Sequence, residues 1–104
     1  MGNLNLKVKV KYFTTLRELA GSPQEEFVMA EGITLADLIS RIAAKYGKEA
    51  RKYLYHKDRQ DITEKIDPGI YFLINGKNAR LLDGLDTKLE EGNTVAIIPP
   101  IGGG

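Results

Sequence analysis

Three glycines, Gly102, Gly103 and Gly104, stand at the C-terminal end of the chain, after Ile98-Pro99-Pro100-Ile101. Glycine has no Cβ, so such an end is thin and conformationally free. A thin tail can thread a narrow channel and present its terminal carboxylate to the active site of another protein. The alternative for any such end is a frayed terminus, because chain ends are ordered only where something ties them down. The two prolines sharpen the contrast. Neither can donate to a sheet ladder and both favour extended backbone, so they stop the apolar run Val95-Ala96-Ile97-Ile98 and release the residues beyond it.

Other chemistry is largely excluded by residue type. The 104 residues contain no cysteine, which removes disulfides, thiolate metal sites and a cysteine nucleophile. The one histidine, His56, makes a histidine metal cluster or an internal Ser-His-Asp triad an unfavoured reading. A formal net charge of +1 gives no global electrostatic case for nucleic acid or membrane. Lys48, Arg51, Lys52, Lys57 and Arg59 form a local basic excess around His56. It reads as a solvated face, because no aromatic residues interleave with it on a strand. No run is apolar enough to span a bilayer and no signal-peptide pattern is present, so a cytoplasmic protein is expected.

The elements that must position the tail are set by periodicity. Leu4, Leu6, Val8, Val10 and Tyr12 alternate with Asn5, Lys7, Lys9 and Lys11, the period of two of a half-buried strand with lysines on its wet face. Leu16 to Ala20 fits a short helical turn, broken by Gly21-Ser22-Pro23. Gln24 to Ala30 reads as a second strand, antiparallel to the first, with Phe27 and Met29 on one face and Val28 on the other. Leu35, Leu38, Ile39, Ile42, Ala43 and Tyr46 form one buried helical stripe. Thr34 and Asp37 suit its N-terminus, Ile33 and Leu38 a hydrophobic staple, and Gly47 a left-handed C-terminal cap. Glu49 to Tyr55 fits a shorter helix anchored by Tyr53 and Leu54, and Asp67-Pro68-Gly69 a turn. Ile70 to Ile74 is an apolar strand, Asn75-Gly76 a hairpin turn, and Lys77 to Leu82 the returning strand. Leu85 to Leu89 fits a helical turn and Thr94 to Ile98 the last strand. Strands at both ends flanking a helix imply an α+β layer pair, a mixed sheet of four or five strands with one face covered. If the first and last strands lie parallel at its centre, the tail leaves from one edge of the core.

This order, with this tail, resembles the β-grasp (ubiquitin-like) fold, and more narrowly the MoaD-like sulfur carriers, the small subunits of molybdopterin synthase. The resemblance rests on Val10-Lys11-Tyr12-Phe13-Thr14-Thr15-Leu16-Arg17-Glu18-Leu19, on Ile74-Asn75-Gly76-Lys77-Asn78 with Leu82-Asp83-Gly84-Leu85-Asp86-Thr87-Lys88-Leu89, and on Gly92 through Gly104. Leu-Asp-Gly-Leu-Asp followed by Pro-Pro-x-x-Gly-Gly is specific in combination. The chain departs from the pattern at two positions: Ile98 stands where an aromatic residue often precedes the prolines, and Gly102 where alanine or threonine often precedes the diglycine.

The resemblance implies a β-grasp domain over residues 1–98 and a flexible tail over 99–104. It implies that Gly104 is the residue adenylated and converted to a thiocarboxylate, with Gly103 beside it in the tail that enters partner enzymes. Phe13, Arg17 and Ile98, with Pro99, Pro100, Ile101 and Gly102, match the surface that docks them. Those partners would be an adenylating enzyme of the ubiquitin-activating type, the large synthase subunit and a sulfur donor protein. The chain has no Gly-rich lysine motif for ATP, so the ATP would be used by the separate activating enzyme and no cofactor bound here. Alternatives left open are a ubiquitin-like modifier joined to lysines through Gly104, a sulfur carrier for thiolated tRNA or thiamine thiazole, and an interaction module with an inert tail.

Overall fold

The computed structural model describes residues 5–57 and 64–100. Strand β1 (Asn5–Lys11) buries Leu6, Val8 and Val10 and leaves the three lysines exposed, as its alternation requires. It pairs antiparallel with β2 (Gln24–Ala30), in a register that sets Lys7 opposite Val28 and Val8 opposite Phe27. Between them, α1 (Thr14–Ala20) turns the chain, with Leu16 buried and Gly21 in the left-handed conformation at its end.

Helix α2 (Leu35–Tyr46) lies where the stripe predicts it, with Leu35, Leu38, Ile39, Ile42 and Ala43 buried. Thr34 and Asp37 form a capping box: Asp37 N donates to Thr34 Oγ1 at 3.3 Å and Thr34 N to Asp37 Oδ2 at 3.0 Å. Gly47 departs from the expected cap. Its φ is positive but its ψ is −156°, because it closes α2, donating to Ala43 O, and opens α3 (Lys48–Leu54) in the same residue. Ala50 joins Leu54 as a buried anchor of α3, while Tyr53 is half-buried.

Two short strands not expected from the sequence come next, β3 (Tyr55–Lys57) and β4 (Glu64–Ile66), paired antiparallel as a separate sheet. Arg59 and the side chains of His56 and Lys57 lie outside the described residues. Strand β5 (Tyr71–Ile74) turns through Asn75 and Gly76, both at positive φ, into β6. Here the expected strand from Lys77 to Leu82 is corrected: β6 is only Lys77–Asn78. Asn78 Oδ1 accepts from Arg80 N and turns Ala79–Leu81 into a 3₁₀ segment, which carries Ala79 into the core. The helical turn expected at Leu85 to Leu89 is a 3₁₀ turn over Gly84–Asp86, and Leu89 is a core residue.

Strand β7 (Thr94–Ile98) completes the sheet in the order β2-β1-β7-β5-β6, parallel to β1 and antiparallel to β5. The architecture is α+β with the β-grasp arrangement: the two end strands form the centre of a mixed sheet, and α2 contributes to the core beneath it. Among the described residues no helix is long and apolar enough to cross a membrane.

One polar cluster ties α2 to the sheet. Glu25 accepts from Tyr12 Oη and Lys45 Nζ, each at 2.5 Å, and from Tyr46 Oη. The two tyrosine rings meet edge to face. Burial alone would raise the Glu25 carboxyl, but the bonds from Lys45, Tyr12 and Tyr46 outweigh it and hold its pKa below the ordinary value. Burial and the neighbouring carboxylate push the Tyr12 phenol well above its own. A carboxyl lowered in the folded state stabilises the fold above its unfolded pKa, and that stability is lost as pH falls through the folded value. Glu25→Gln should therefore cost about 1–3 kcal/mol near neutral pH, since Tyr12 is fully buried and loses a charged acceptor. It should also flatten the acid limb of stability. Urea melts at neutral pH and below the carboxyl range check both; equal acid sensitivity of parent and variant would remove Glu25 as a source.

Candidate functional site: the root of the C-terminal tail

Strand β7 leads into the tail. Val95 and Ile97 point into the core, while Thr94, Ala96 and Ile98 lie half-buried on the other face. Ile98 is paired with Tyr71 of β5, and Pro99 ends the ladder. The chain then meets the turn Asp67-Pro68-Gly69. A Cβ built on Gly69 would stand 3.3 Å from both Cβ and Cγ of Pro100, so the proline ring lies directly over the glycine.

That turn is braced on several sides. Asp67 Oδ1 accepts from Gly69 N at 2.8 Å, Asp67 O accepts from Ile70 N, and Asp67 N donates to Leu54 O at the end of α3. The Arg80 guanidinium donates to Pro68 O and lies 4.9 Å from the centre of the Tyr71 ring, which places one cation across the turn and the strand paired with Ile98.

Beside the tail root is a cavity of about 530 Å³ lined by Thr14, Thr15, Lys52, Tyr53, Asp67, Pro99 and Pro100. It brings together the start of α1, the end of α3 and the exit of the tail. Burial raises the Tyr53 phenol above its ordinary value, the Thr14 side chain opposes this, and the Asp67 charge adds to it. Thr14 itself has φ +46°, a left-handed conformation that a β-branched residue rarely adopts. Such strain costs on the order of 1–3 kcal/mol and persists only where the surroundings impose it.

The residues expected to dock partners fall around this root. Phe13, extended at the head of α1, is 37% exposed, which rules out a core role for it. Ile98 is half-buried at the end of β7, and Arg17 is exposed one turn into α1, outside the cavity lining. Pro99 is half-buried and Pro100 exposed. Ile101, Gly102, Gly103 and Gly104 lie outside the described residues. Sequence reasoning missed Thr14, Tyr53, Asp67 and Gly69 at the root. Only the Asp-Pro-Gly turn signal marked two of them, and it carried no hint of what the turn supports.

No group of three or more His, Cys, Asp or Glu that could hold a metal ion occurs among the described residues. What the arrangement offers is mechanical: a braced turn against which Pro100, the last described residue, is seated.

Comparison with known proteins agrees with this geometry. The ThiS family model matches residues 10–104. The solution structure of small archaeal modifier protein 1 from Methanosarcina acetivorans superposes with a TM-score of 0.77 at 36% identity, covering 97% of this chain and 99% of that one. Small archaeal modifier protein 3 of Haloferax volcanii is 25% identical over 95% of this chain and its own full length. The molybdopterin synthase sulfur carrier subunit of Chlamydomonas reinhardtii is 28% identical over 95% of this chain and all of its own length.

Proposed function

The chain belongs to the ThiS family of ubiquitin-like sulfur carriers, and from that premise we propose that its terminal glycine, Gly104, carries sulfur as a thiocarboxylate for molybdopterin synthesis. The observation that supports this reading is the full-length match to a molybdopterin synthase sulfur carrier subunit, joined to the Leu82-Asp83-Gly84-Leu85-Asp86 and Pro99-Pro100 motifs that lead to the glycine end.

The chemistry needs activation because a carboxylate, holding a full negative charge, is a poor electrophile. A separate adenylating enzyme joins the Gly104 carboxylate to the α-phosphorus of ATP, releasing pyrophosphate and leaving a mixed anhydride. Sulfide released from a sulfur donor attacks the carbonyl carbon, the bond from that carbon to the AMP oxygen breaks, and AMP departs. The resulting terminal thiocarboxylate is an anionic, polarisable nucleophile at neutral pH, suited to transferring sulfur to a pterin precursor in the large synthase subunit. On this reading Gly103 gives the tail its narrow section, and Phe13, Arg17, Ile98 and the residues from Pro99 to Gly102 meet the partners. The work belongs in the cytoplasm. The domain supplies aim and recognition, and no catalytic group of its own.

The modifier reading has an observation of its own, the 36% identity to a small archaeal modifier protein over nearly the whole chain. Both readings need the same adenylated glycine, so loading alone does not part them. Incubated with its adenylating enzyme, ATP and sulfide, a carrier gains the mass of one sulfur for one oxygen, and the loaded protein then converts the pterin precursor in the presence of the large subunit. A modifier instead appears in cells as higher-mass adducts on lysine. Lysine adducts with no thiocarboxylate under any loading condition would overturn the carrier reading.

A further inference from the structure

Six of the seven described glycines sit at positive φ with open space where a Cβ would lie; they are there for backbone conformation. Gly69 is the exception. Its φ is outside the left-handed region and does not demand glycine, yet a Cβ on it would meet Pro100 Cβ and Cγ at 3.3 Å and Asp67 Oδ1 at 3.2 Å. Gly69 makes space, and the atoms it makes space for belong to the root of the tail. We infer that Gly69 is a positioning residue for the reaction at the terminus: the missing Cβ lets Pro100 seat on the Asp67–Gly69 turn, and that seat sets the direction in which the chain leaves the domain. The inference rests on the proposed function only in naming that reaction.

Three features make the seat stiff. The turn is anchored through Asp67 to α3 and through Pro68 O to Arg80, so it does not yield readily when Pro100 is pushed. Pro100 has its φ locked by its ring, so its displacement passes into the chain direction and is not absorbed locally. On the other side, the ladder of β7 ends at Ile98, paired with Tyr71, and only Pro99 separates this fixed point from Pro100. A contact at 3.2–3.3 Å is shorter than ordinary packing by a few tenths of an ångström. Relieving it tilts Pro100, the last described residue, and so moves the point and direction from which the tail starts.

The test uses ATP–pyrophosphate exchange with the purified adenylating enzyme. Gly69→Ala should lower kcat by about fivefold and Gly69→Val by more, with KM changed less, because misplacement of about 1 Å at a reacting atom can cost about a hundredfold. Melting temperatures should match the parent, which separates positioning from unfolding. In a Pro100→Gly background there is no ring to strike and only the Asp67 Oδ1 contact remains, so Gly69→Ala should then have a clearly smaller effect. An equal loss in both backgrounds, or parental kcat for Gly69→Ala, overturns the inference. A parent that fails to exchange at all counts against the proposed function, and a second measurement still decides this point. The chain has no cysteine, so spin labels at Lys11→Cys and Gly104→Cys report the distance from sheet to terminus directly. Gly69→Ala should shift that distance distribution; an unchanged distribution refutes the seat.

Discussion

Removal of Gly103 and Gly104 should abolish ATP–pyrophosphate exchange while leaving the melting curve of the domain where it was. The carboxylate of the shortened chain would fall short of the nucleotide site by two residues, roughly 7 Å of extended backbone. Catalytic geometry tolerates far less, since about 1 Å of misplacement can cost about a hundredfold in rate. One alanine added after Gly104 should be nearly as damaging, because the reacting carboxylate moves outward and gains a Cβ beside it. Stability should be indifferent to both changes. Among the described residues the last one in the core is Ile97, and the tail root touches the domain through Pro100 on Gly69. Exchange run beside a thermal melt decides the matter. Normal activation of the truncated protein would reduce the glycine end to a frayed terminus and take the proposed function with it.

The largest effect on the fold is expected on the inner face of α2. Leu38 and Ile42 have no exposed surface and pack in the cluster that joins α2 to β1 and β7. Leu38→Asp or Ile42→Asp puts a carboxyl where no partner is available, and protonation or water penetration relieves only part of the penalty. A loss of about 4 kcal/mol is expected, against a total of about 5–15 kcal/mol for a domain of this kind. Ser40→Asp, exposed on the same helix, should change stability by no more than about 0.5 kcal/mol. Denaturant melts of the three variants test the placement. A parental midpoint for either core variant would mean that α2 does not cover the sheet.

Elements with a strong local period are legible in the amino-acid sequence. The alternation of β1, the apolar run of β7 and the stripe of α2 each reflect which face is buried, and Asn75-Gly76 reflects the positive φ that a two-residue hairpin demands. Lys77 to Leu82 misleads because its pattern suits a strand, while the side chain of Asn78 caps the backbone after it and ends pairing after two residues. Strands β3 and β4 are three residues each, too short for a period to declare itself. The site divides the same way. The glycine end and Pro99-Pro100 announce themselves by composition. The strained Thr14 and the close approach of Gly69 to Pro100 are products of tertiary contact, and nothing adjacent in sequence encodes them.

The position of β7 also bears on what happens when synthesis stops early. Both β1 and β5 pair with this strand, so a chain ending before Thr94 leaves two separate hairpins, β2-β1 and β5-β6, with open edges where the centre should be. Such a fragment cannot close its sheet and is exposed to proteolysis and aggregation. Only a stop within the last few codons would yield a well-folded product lacking its glycines, able to occupy a partner without reacting. If Gly104 carries the reacting carboxylate as proposed, it follows the strand that completes the sheet, so folding itself becomes a check on translation, and inert competitors for the partner enzymes should be rare.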